Sequence, residues 1–240
     1  MKPITLLNTG AAALFTIFVL SGCGDEVRCS RGQGDVETRT MQLANFRGVE
    51  VNGSSRVYIS YGPQQRVEVK AEPNVLDAIN QRVSDGIWRI ETDKCFRKHE
   101  TIEVYITSPA IDYTEINGSG EIVINDRFEA NEFTTQINGS GKIKANFTAE
   151  HAFTRITGSG KAELQGAAEQ QDVSISGSGK AHTFNLATER AIVTISGSGD
   201  AEVLVADILE ANITGSGRVY YKGTPTVNSR ITGSGKVEKR

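Results

Sequence analysis

The sequence has 240 residues, of which 38% are hydrophobic and 23% are charged, and its formal net charge is −3. This mixed, nearly neutral charge argues against a nucleic-acid partner, which would require a basic face. The 25 glycines recur at a regular spacing, which predicts turns and excludes a flexible linker.

The N-terminus has the pattern of an export signal. Lys2 supplies a positive charge, and a largely apolar stretch runs from Ile4 to Leu20. This stretch is too short and wrongly flanked for a membrane span, so we interpret residues 1–22 as a secretory signal peptide. The tetrapeptide Leu20-Ser21-Gly22-Cys23 resembles a bacterial lipobox. An ordinary signal peptide with an incidental cysteine is the alternative.

The lipobox resemblance implies that Cys23 is acylated, with palmitate among its chains, and becomes the mature N-terminus. One acyl chain binds a bilayer only marginally, whereas several anchor a protein stably. We therefore predict a lipoprotein of the cell envelope whose first partner is the membrane, with residues 23–31 as the tether. Gly24 stands where an aspartate would favour retention in the inner membrane, which favours the outer membrane, facing either the periplasm or the surface.

Two further cysteines, Cys29 and Cys95, lie in a chain predicted to reach an oxidising compartment. A disulfide between them would contribute on the order of 4 kcal/mol by restricting the unfolded chain. Two free thiols or a metal site are the alternatives. A metal is disfavoured because no histidine or third thiol keeps ligand spacing with the pair, and we predict no metal and no cofactor.

Residues 32–110 form an N-terminal β section in this interpretation. Its strand-like pieces are Arg56 to Ser60, Arg66 to Lys70, Ile87 to Ile90 and Ile102 to Ile106. A short helix is predicted for residues 74–83, between Pro73 and Gly86. Weak copies of a glycine turn at Gly32-Gln-Gly34 and Val51-Asn-Gly-Ser-Ser55 predict that a repeat begins near residue 32 and is interrupted by this section, which caps an open sheet edge.

Residues 111–240 contain seven copies of an isoleucine followed by a polar residue and Gly-Ser-Gly. The seven isoleucines are Ile116, Ile137, Ile156, Ile175, Ile195, Ile213 and Ile231. The copies are 18 to 21 residues apart, and this period is typical of a stacked repeat. Apolar residues alternate on both sides of each turn, which indicates strands. We predict an all-β, right-handed parallel β-helix with about 19 residues per coil.

The alignment of the copies predicts two internal stacks and one set of corners. The isoleucines form the first stack, and the residues two places after each turn form the second. These are Ile122, Ile143, Ala162, Ala181, Ala201, Val219 and Val237. Both glycines of each turn are expected to allow a sharp corner with positive φ.

The chain resembles the head GIN domain family of auto-transporter adhesins, a domain of unknown function. The resemblance rests on Phe46-Arg-Gly-Val-Glu-Val-Asn-Gly-Ser54, on Val83-Ser-Asp-Gly-Ile-Trp-Arg-Ile90, on Ile102-Glu-Val-Tyr-Ile-Thr-Ser-Pro109 and on the repeated turns, and it covers about residues 28–240. It implies a β-helical fold and an exported, often lipid-anchored, bacterial protein. It brings no catalytic residues.

The position after each turn predicts a charged ladder on one outer edge. Five members of this ladder are basic and form a candidate ligand-facing set, namely Lys142, Lys161, Lys180, Arg218 and Lys236. The other two members are acidic, Glu121 at the start and Asp200 between Lys180 and Arg218. Such a ladder could bind an anionic polysaccharide, and a solvated edge that prevents aggregation is the alternative. Tyr220 or Tyr221 is expected to be exposed and able to stack on sugars.

Catalysis is disfavoured by the sequence. The histidines His99, His151 and His182 are scattered and suggest no triad, and we interpret the central serines as turn residues and not as nucleophiles. The turns also lack the lysine and following serine or threonine of a phosphate loop, and no dinucleotide-binding pattern accompanies them. We expect a non-enzymatic binding or adhesion module for a glycan or protein. A polysaccharide-active enzyme and a purely structural envelope component are the alternatives.

Overall fold

The computed structural model describes residues 29–240 and shows a β-solenoid of about seven turns with roughly 19 residues per turn. The predicted signal peptide, residues 1–22, and Cys23 lie outside the described residues. The all-β solenoid and its period are thereby confirmed.

The N-terminal section consists of short strands and one helical turn. In chain order these are β1 (Ser30–Arg31), β2 (Glu37–Met41), β3 (Gly48–Gly53), β4 (Arg56–Tyr61), β5 (Arg66–Ala71), α1 (Pro73–Leu76), β6 (Val83–Ser84), β7 (Ile87–Ile90), β8 (Phe96–Lys98) and β9 (Glu103–Ser108).

The repeat section begins with two short strands and continues with strands that each cover most of a coil. They are β10 (Tyr113–Gly118), β11 (Glu121–Ile124), β12 (Phe128–Gly139), β13 (Lys142–Gly158), β14 (Lys161–Gly177), β15 (Lys180–Gly197), β16 (Asp200–Gly215), β17 (Arg218–Lys222), β18 (Thr226–Gly233) and β19 (Lys236–Lys239).

The two predicted stacks are present inside the column. Parallel pairing places each repeat isoleucine beside the next, as Ile137 beside Ile156 and Ile156 beside Ile175. The isoleucines are at most 1% exposed in every coil except the last. The second stack continues through Ile143 and Ala162 in the same way. Because each side chain is covered by the coils on both sides, these two columns of apolar residues form part of the core, together with buried residues such as Phe133 and Phe147.

The order of coils in the column differs from the order in the chain. Strands β7 and β9 pair with β3 and β4, and β3 and β4 pair on their other side with β10 and β11. The chain therefore forms the second coil first, with β3 and β4, and then the first coil, with β7 and β9. From β9 it passes to β10 and β11, which form the third coil on the other side of the second.

This arrangement confirms one weak copy of the turn and corrects the other. Gly53 lies in register with Gly118, so the Val51 turn is a true corner of the column. Gly32 and Gly34 lie beside β1, which pairs only with β8 in a separate two-stranded sheet. The prediction that the solenoid begins near residue 32 was wrong, because a Gly-x-Gly pattern without the preceding isoleucine has no side chain to enter the stack.

Antiparallel strands cover the first coil. Strand β5 pairs with β9, β2 pairs with β5, and β6 pairs with β7, all antiparallel. The outermost strand β2 carries Arg39, which binds Glu37 and Asp77 at 2.8 and 2.6 Å. Charged side chains on an edge strand discourage further strand pairing. We call this the capped end of the column.

The predicted helix over residues 74–83 is shorter than expected. Helix α1 ends at Leu76, and Val75 and Leu76 are fully buried against the first coil. Beyond it the Asn80 amide donates to the Glu91 carbonyl at 2.9 Å, and Val83 belongs to β6. The helix ends early because backbone amides beyond it, such as that of Asn80, donate to carbonyls of an adjacent extended segment and not to the preceding turn.

Cys29 and Cys95 are joined by a disulfide, with their Cα atoms 4.6 Å apart. The adjacent Ser30 amide donates to the Cys95 carbonyl at 2.9 Å. The bond therefore attaches the beginning of the described chain to the loop between β7 and β8, at the capped end.

The two glycines of each corner serve different physical needs. The first has positive φ, as in Gly177 at 115° and Gly197 at 124°, a region that favours glycine. The second has no positive φ, contrary to our expectation. A Cβ on Gly199 would lie 2.6 Å from Cγ2 of Ile175 in the coil below. The second glycine is required because the repeat isoleucine occupies the space beneath it.

Candidate binding face

The predicted charged ladder exists and lies where each chain segment leaves its corner. Lys142, Lys161 and Lys180 occupy one register, followed by Asp200, Arg218 and Lys236. The Lys161 amide donates to the Gly141 carbonyl of the coil below at 3.0 Å, and the same bond recurs in the following coils. This backbone ladder fixes the side chains about 4.8 Å apart on one edge, which we call the post-corner ladder.

A second outward stripe lies two residues further along each coil and was missed by the sequence analysis. It runs through Lys144, Glu163, His182 and Glu202 in successive coils. The signal that could have found it was present, since a residue two places after an outward residue of a strand also faces outward. We call it the second stripe.

Glu163 is the centre of a cluster formed by the ladder and the second stripe. Its carboxylate accepts from Lys161 at 2.7 Å and from Lys142 at 3.0 Å, and Lys144 lies 3.7 Å away. Partial burial opposes ionisation, but the two lysine hydrogen bonds outweigh it and lower the pKa of Glu163 to about 2. Three lysines therefore share one permanently charged carboxylate, and the cluster keeps a surplus of positive charge.

The five predicted ladder residues divide into three groups. Lys142 and Lys161 belong to the Glu163 cluster. Arg218 is neutralised by Asp200 at 2.9 Å, and Lys236 lies 4.0 Å from Glu238. Lys180 is exposed and forms no ion pair with any residue that the structure describes. The free positive charge is thus concentrated on the coils of Lys142, Lys161 and Lys180.

A cleft of about 400 Å³ borders this charge, and its walls include Val123, Lys144, Glu163, His182 and Asn185. His182 faces Glu202, with Nδ1 and Oε2 2.7 Å apart.

Two tyrosines continue the second stripe towards the capped end. Val123 pairs with Tyr58, and Tyr58 pairs with Tyr105. The two rings are stacked with centroids 5.3 Å apart, and Tyr105 is 41% exposed. An aromatic surface and a cationic cluster therefore lie on one stripe.

The predicted sugar-stacking tyrosines do not serve that purpose. Tyr220 is only 8% exposed, and the guanidinium groups of Arg240 and Arg218 cover its ring at 4.0 and 5.8 Å. Tyr221 is half-buried against the core. Both rings already have partners within the chain, so the tyrosines available to a ligand are elsewhere.

A different corner of the coils is acidic. Its broad groove of about 1100 Å³ is lined by acidic residues, namely Glu129, Glu132, Glu150, Glu169 and Glu189, together with Arg47 and Asp112. Arg47 is bound to Asp112 through its Nε at 2.6 Å. The acidic corner repels anions, so the surface charge directs an anionic ligand to the post-corner ladder.

Within residues 29–240 there is no cluster of three or more histidine, cysteine or acidic side chains that could hold a metal ion. The same part of the chain contains no helix long and apolar enough to cross a membrane.

The fold and this face define the class of protein, an all-β solenoid that presents a regular polar surface. The chain belongs to the family described as "putative auto-transporter adhesin, head GIN domain", whose model matches residues 45–225. This membership indicates a binding or adhesion role and an association with the cell envelope or surface.

Solved structures share the fold over most of the chain. A putative adhesin from Bacteroides fragilis is 19% identical with a TM-score of 0.80, covering 88% of this chain and 99% of that one. A putative adhesin from Parabacteroides distasonis is 25% identical with a TM-score of 0.71 and the same coverage. A putative lipid binding protein from the same species is 21% identical with a TM-score of 0.74, covering 88% and 98%. No curated protein matches the chain.

Proposed function

We propose that this chain is a non-enzymatic, lipid-anchored envelope protein that binds an acidic polysaccharide along its post-corner ladder and second stripe. The family supports a binding or adhesion role, and the chemistry of the face supports the choice of partner.

The observation that carries the proposal is the surplus of positive charge on neighbouring coils. Lys142, Lys144 and Lys161 surround a single carboxylate, and the next coil adds the exposed Lys180. Because the coils repeat at about 4.8 Å, Lys142, Lys161 and Lys180 form a row along the column axis, and Lys144 lies beside this row. An extended polymer with regularly spaced carboxylates or sulfates can contact several of them at once.

The aromatic end of the second stripe supports a sugar as the ligand. Tyr58 and Tyr105 present stacked rings beside Val123, on the line that leads to Lys144. Aromatic rings offer flat apolar area with a polar hydroxyl, a combination that suits the apolar face of a sugar ring. In this binding mode the rings contact the sugar and the lysines contact its acidic groups.

The charge of the cluster provides a direct test. Replacing Lys142, Lys161 and Lys180 together by glutamine is expected to abolish binding to acidic polysaccharides on a glycan array, whereas Glu163→Gln is expected to strengthen it. The second variant removes the carboxylate that now competes for the lysines. Binding of the unaltered chain should weaken as salt rises, because exposed charges are screened.

Lys94→Gln is the matched control, since Lys94 is exposed but lies outside the ladder. It should leave binding unchanged. The proposal fails if the unaltered chain binds no acidic polysaccharide, or if the triple variant and Glu163→Gln bind like the unaltered chain.

The lipid anchor is supported by the lipobox-like sequence at Cys23 and by the position of Cys29, the first residue that the structure describes. Residue 29 is tied by its disulfide to the capped end, so a short tether would hold that end near a bilayer. Cys23→Ser is expected to move the protein from the membrane fraction to the soluble fraction, since it removes all acyl chains. Cys29→Ser should stay in the membrane fraction, and retention of Cys23→Ser there would contradict the anchor.

A further inference from the structure

The two ends of the column differ in whether further strands pair with the terminal coil. At the capped end antiparallel strands cover the first coil. At the other end β18 and β19 pair only with β16 and β17, so their outer backbone edges are unpaired in the described chain. We call this the open end.

The open end exposes residues that are buried in every earlier coil. Ile231 occupies the isoleucine stack but is 40% exposed, whereas Ile213 beneath it is 1% exposed. Val227 is half-buried over the fully buried Leu209. An apolar strand edge of this kind is suited to pairing with another strand.

The sequence of β18 is complementary to itself when the strand is reversed. It reads Thr226-Val-Asn-Ser-Arg-Ile-Thr232, and Ser229 is its midpoint. In an antiparallel pair about Ser229, Val227 faces Ile231 of the second strand and Asn228 faces Arg230 of the second strand. Thr226 faces Thr232. Apolar residues thus meet apolar residues, and no two like charges stand opposite each other.

The same register keeps the core continuous. Val227, Ser229 and Ile231 lie above Leu209, Ala211 and Ile213, so they are the inward residues of the last coil. Pairing about Ser229 brings inward residues opposite inward residues, as the period of two in a strand requires. In a second copy placed in this way, the isoleucine stack of each chain meets the column of Val227 and Leu209 of the other chain, so apolar contact continues across the junction.

We propose that the open end is covered by a second copy of this chain, joined end to end by antiparallel pairing of β18 with β18 about Ser229. The contact is a two-fold symmetric one in which the same surface is used twice. It does not depend on the polysaccharide site. If Cys23 is anchored as proposed above, the tethers lie at opposite ends of the dimer, the geometry of a contact between two envelopes.

Cross-linking in a dense pellet of intact cells, where envelopes touch, and in the purified chain tests the register. Residues directly opposite in an antiparallel pair have Cα atoms roughly 4.5 to 5.5 Å apart, which a disulfide can span. Ser229→Cys in the full chain is expected to give a disulfide-linked dimer on a non-reducing gel. Ser176→Cys, exposed on a middle coil, is the control and should stay monomeric.

Charge substitution at one exposed position tests the pairing independently. Asn228→Asp would place a carboxylate opposite Arg230 of the second copy, twice by symmetry, and should lower the dimer dissociation constant by about tenfold. Asn228→Lys would place two cations opposite each other and should raise it. Ile231→Lys should leave only monomer in sedimentation experiments on the purified chain, while circular dichroism shows an intact fold.

Three results would overturn the proposal. The first is a purified chain that stays monomeric through the micromolar range. The second is a dimer that Ile231→Lys leaves intact, since the contact would then lie elsewhere. The third is capture of Ser229→Cys by a different envelope protein in place of a second copy.

Discussion

Replacing Ile175 by aspartate is expected to unfold the solenoid. Ile175 lies in the middle of the isoleucine stack between Ile156 and Ile195, and it is 1% exposed. A carboxylate at this position would lose its water and gain no partner, which costs several kcal/mol. Urea denaturation followed by circular dichroism should show that the unfolding transition is lost or moved to much lower urea.

Ile231→Asp is the matched control for this prediction. It introduces the same charge into the same stack, but Ile231 is 40% exposed at the open end. The carboxylate there keeps its hydration, so the free energy of unfolding of the monomer should change little. If both variants lost the same stability, the cost would come from strand propensity and the stack would not be the core.

The pH dependence distinguishes a buried charge from a simple packing defect. Burial raises the pKa of an aspartate in the folded state above its unfolded value. The folded form of Ile175→Asp therefore binds a proton more readily than the unfolded form, so its stability should be greater in acid and fall as pH rises through the folded pKa. Ile175→Asn, which cannot ionise, should lack this pH dependence.

The repeat section was predictable because each of its features is local. The alternation around every corner, the isoleucine before it and the charge after it recur within about 19 residues. Once the seven repeat isoleucines are aligned with one another, the register of the corners follows. The outward direction of Lys142, Lys161 and Lys180 follows from the same alignment.

The N-terminal section was less predictable because its neighbours are distant in sequence. Nothing local shows that β9 lies under β4 while β10 lies above β3. The choice between a longer helix and a strand after Leu76 is likewise decided by partners such as Glu91. These contacts depend on which coil the chain returns to, and periodicity does not contain that information.

The candidate site shows the same division between local and distant information. Alternation placed the ladder, but it did not show that Lys142 and Lys161 share Glu163, since that depends on side chains reaching across coils. It also did not reveal that the guanidinium of Arg240 covers Tyr220. The sequence therefore located the face, while the distribution of free charge on it required the structure.

The first glycine of each corner has positive φ, and the second avoids a clash with the isoleucine of the coil below. This difference leads to a prediction about Gly199, a second glycine. In Gly199→Ala the new methyl group would lie 2.6 Å from Cγ2 of Ile175 and 2.8 Å from the Gly179 carbonyl oxygen. Overpacking of this kind costs about 1–3 kcal/mol. The loss should appear as a lower urea midpoint with an unchanged denaturant slope.

Gly53→Ala is the comparison that separates crowding from backbone strain. Gly53 has φ of 122°, and no atom lies within 4 Å of the place that an added methyl group would take, so its substitution introduces strain alone. Leucine lacks the Cγ2 branch of isoleucine, so Ile175→Leu removes the colliding atom beneath Gly199. We expect Ile175→Leu to recover part of the stability lost in Gly199→Ala and none of that lost in Gly53→Ala. If Ile175→Leu changed the stability of Gly199→Ala and of Gly53→Ala by the same amount, steric coupling between residues 175 and 199 would be contradicted. Residues in contact give a non-additive double-mutant cycle, whereas distant, independent residues give additive effects.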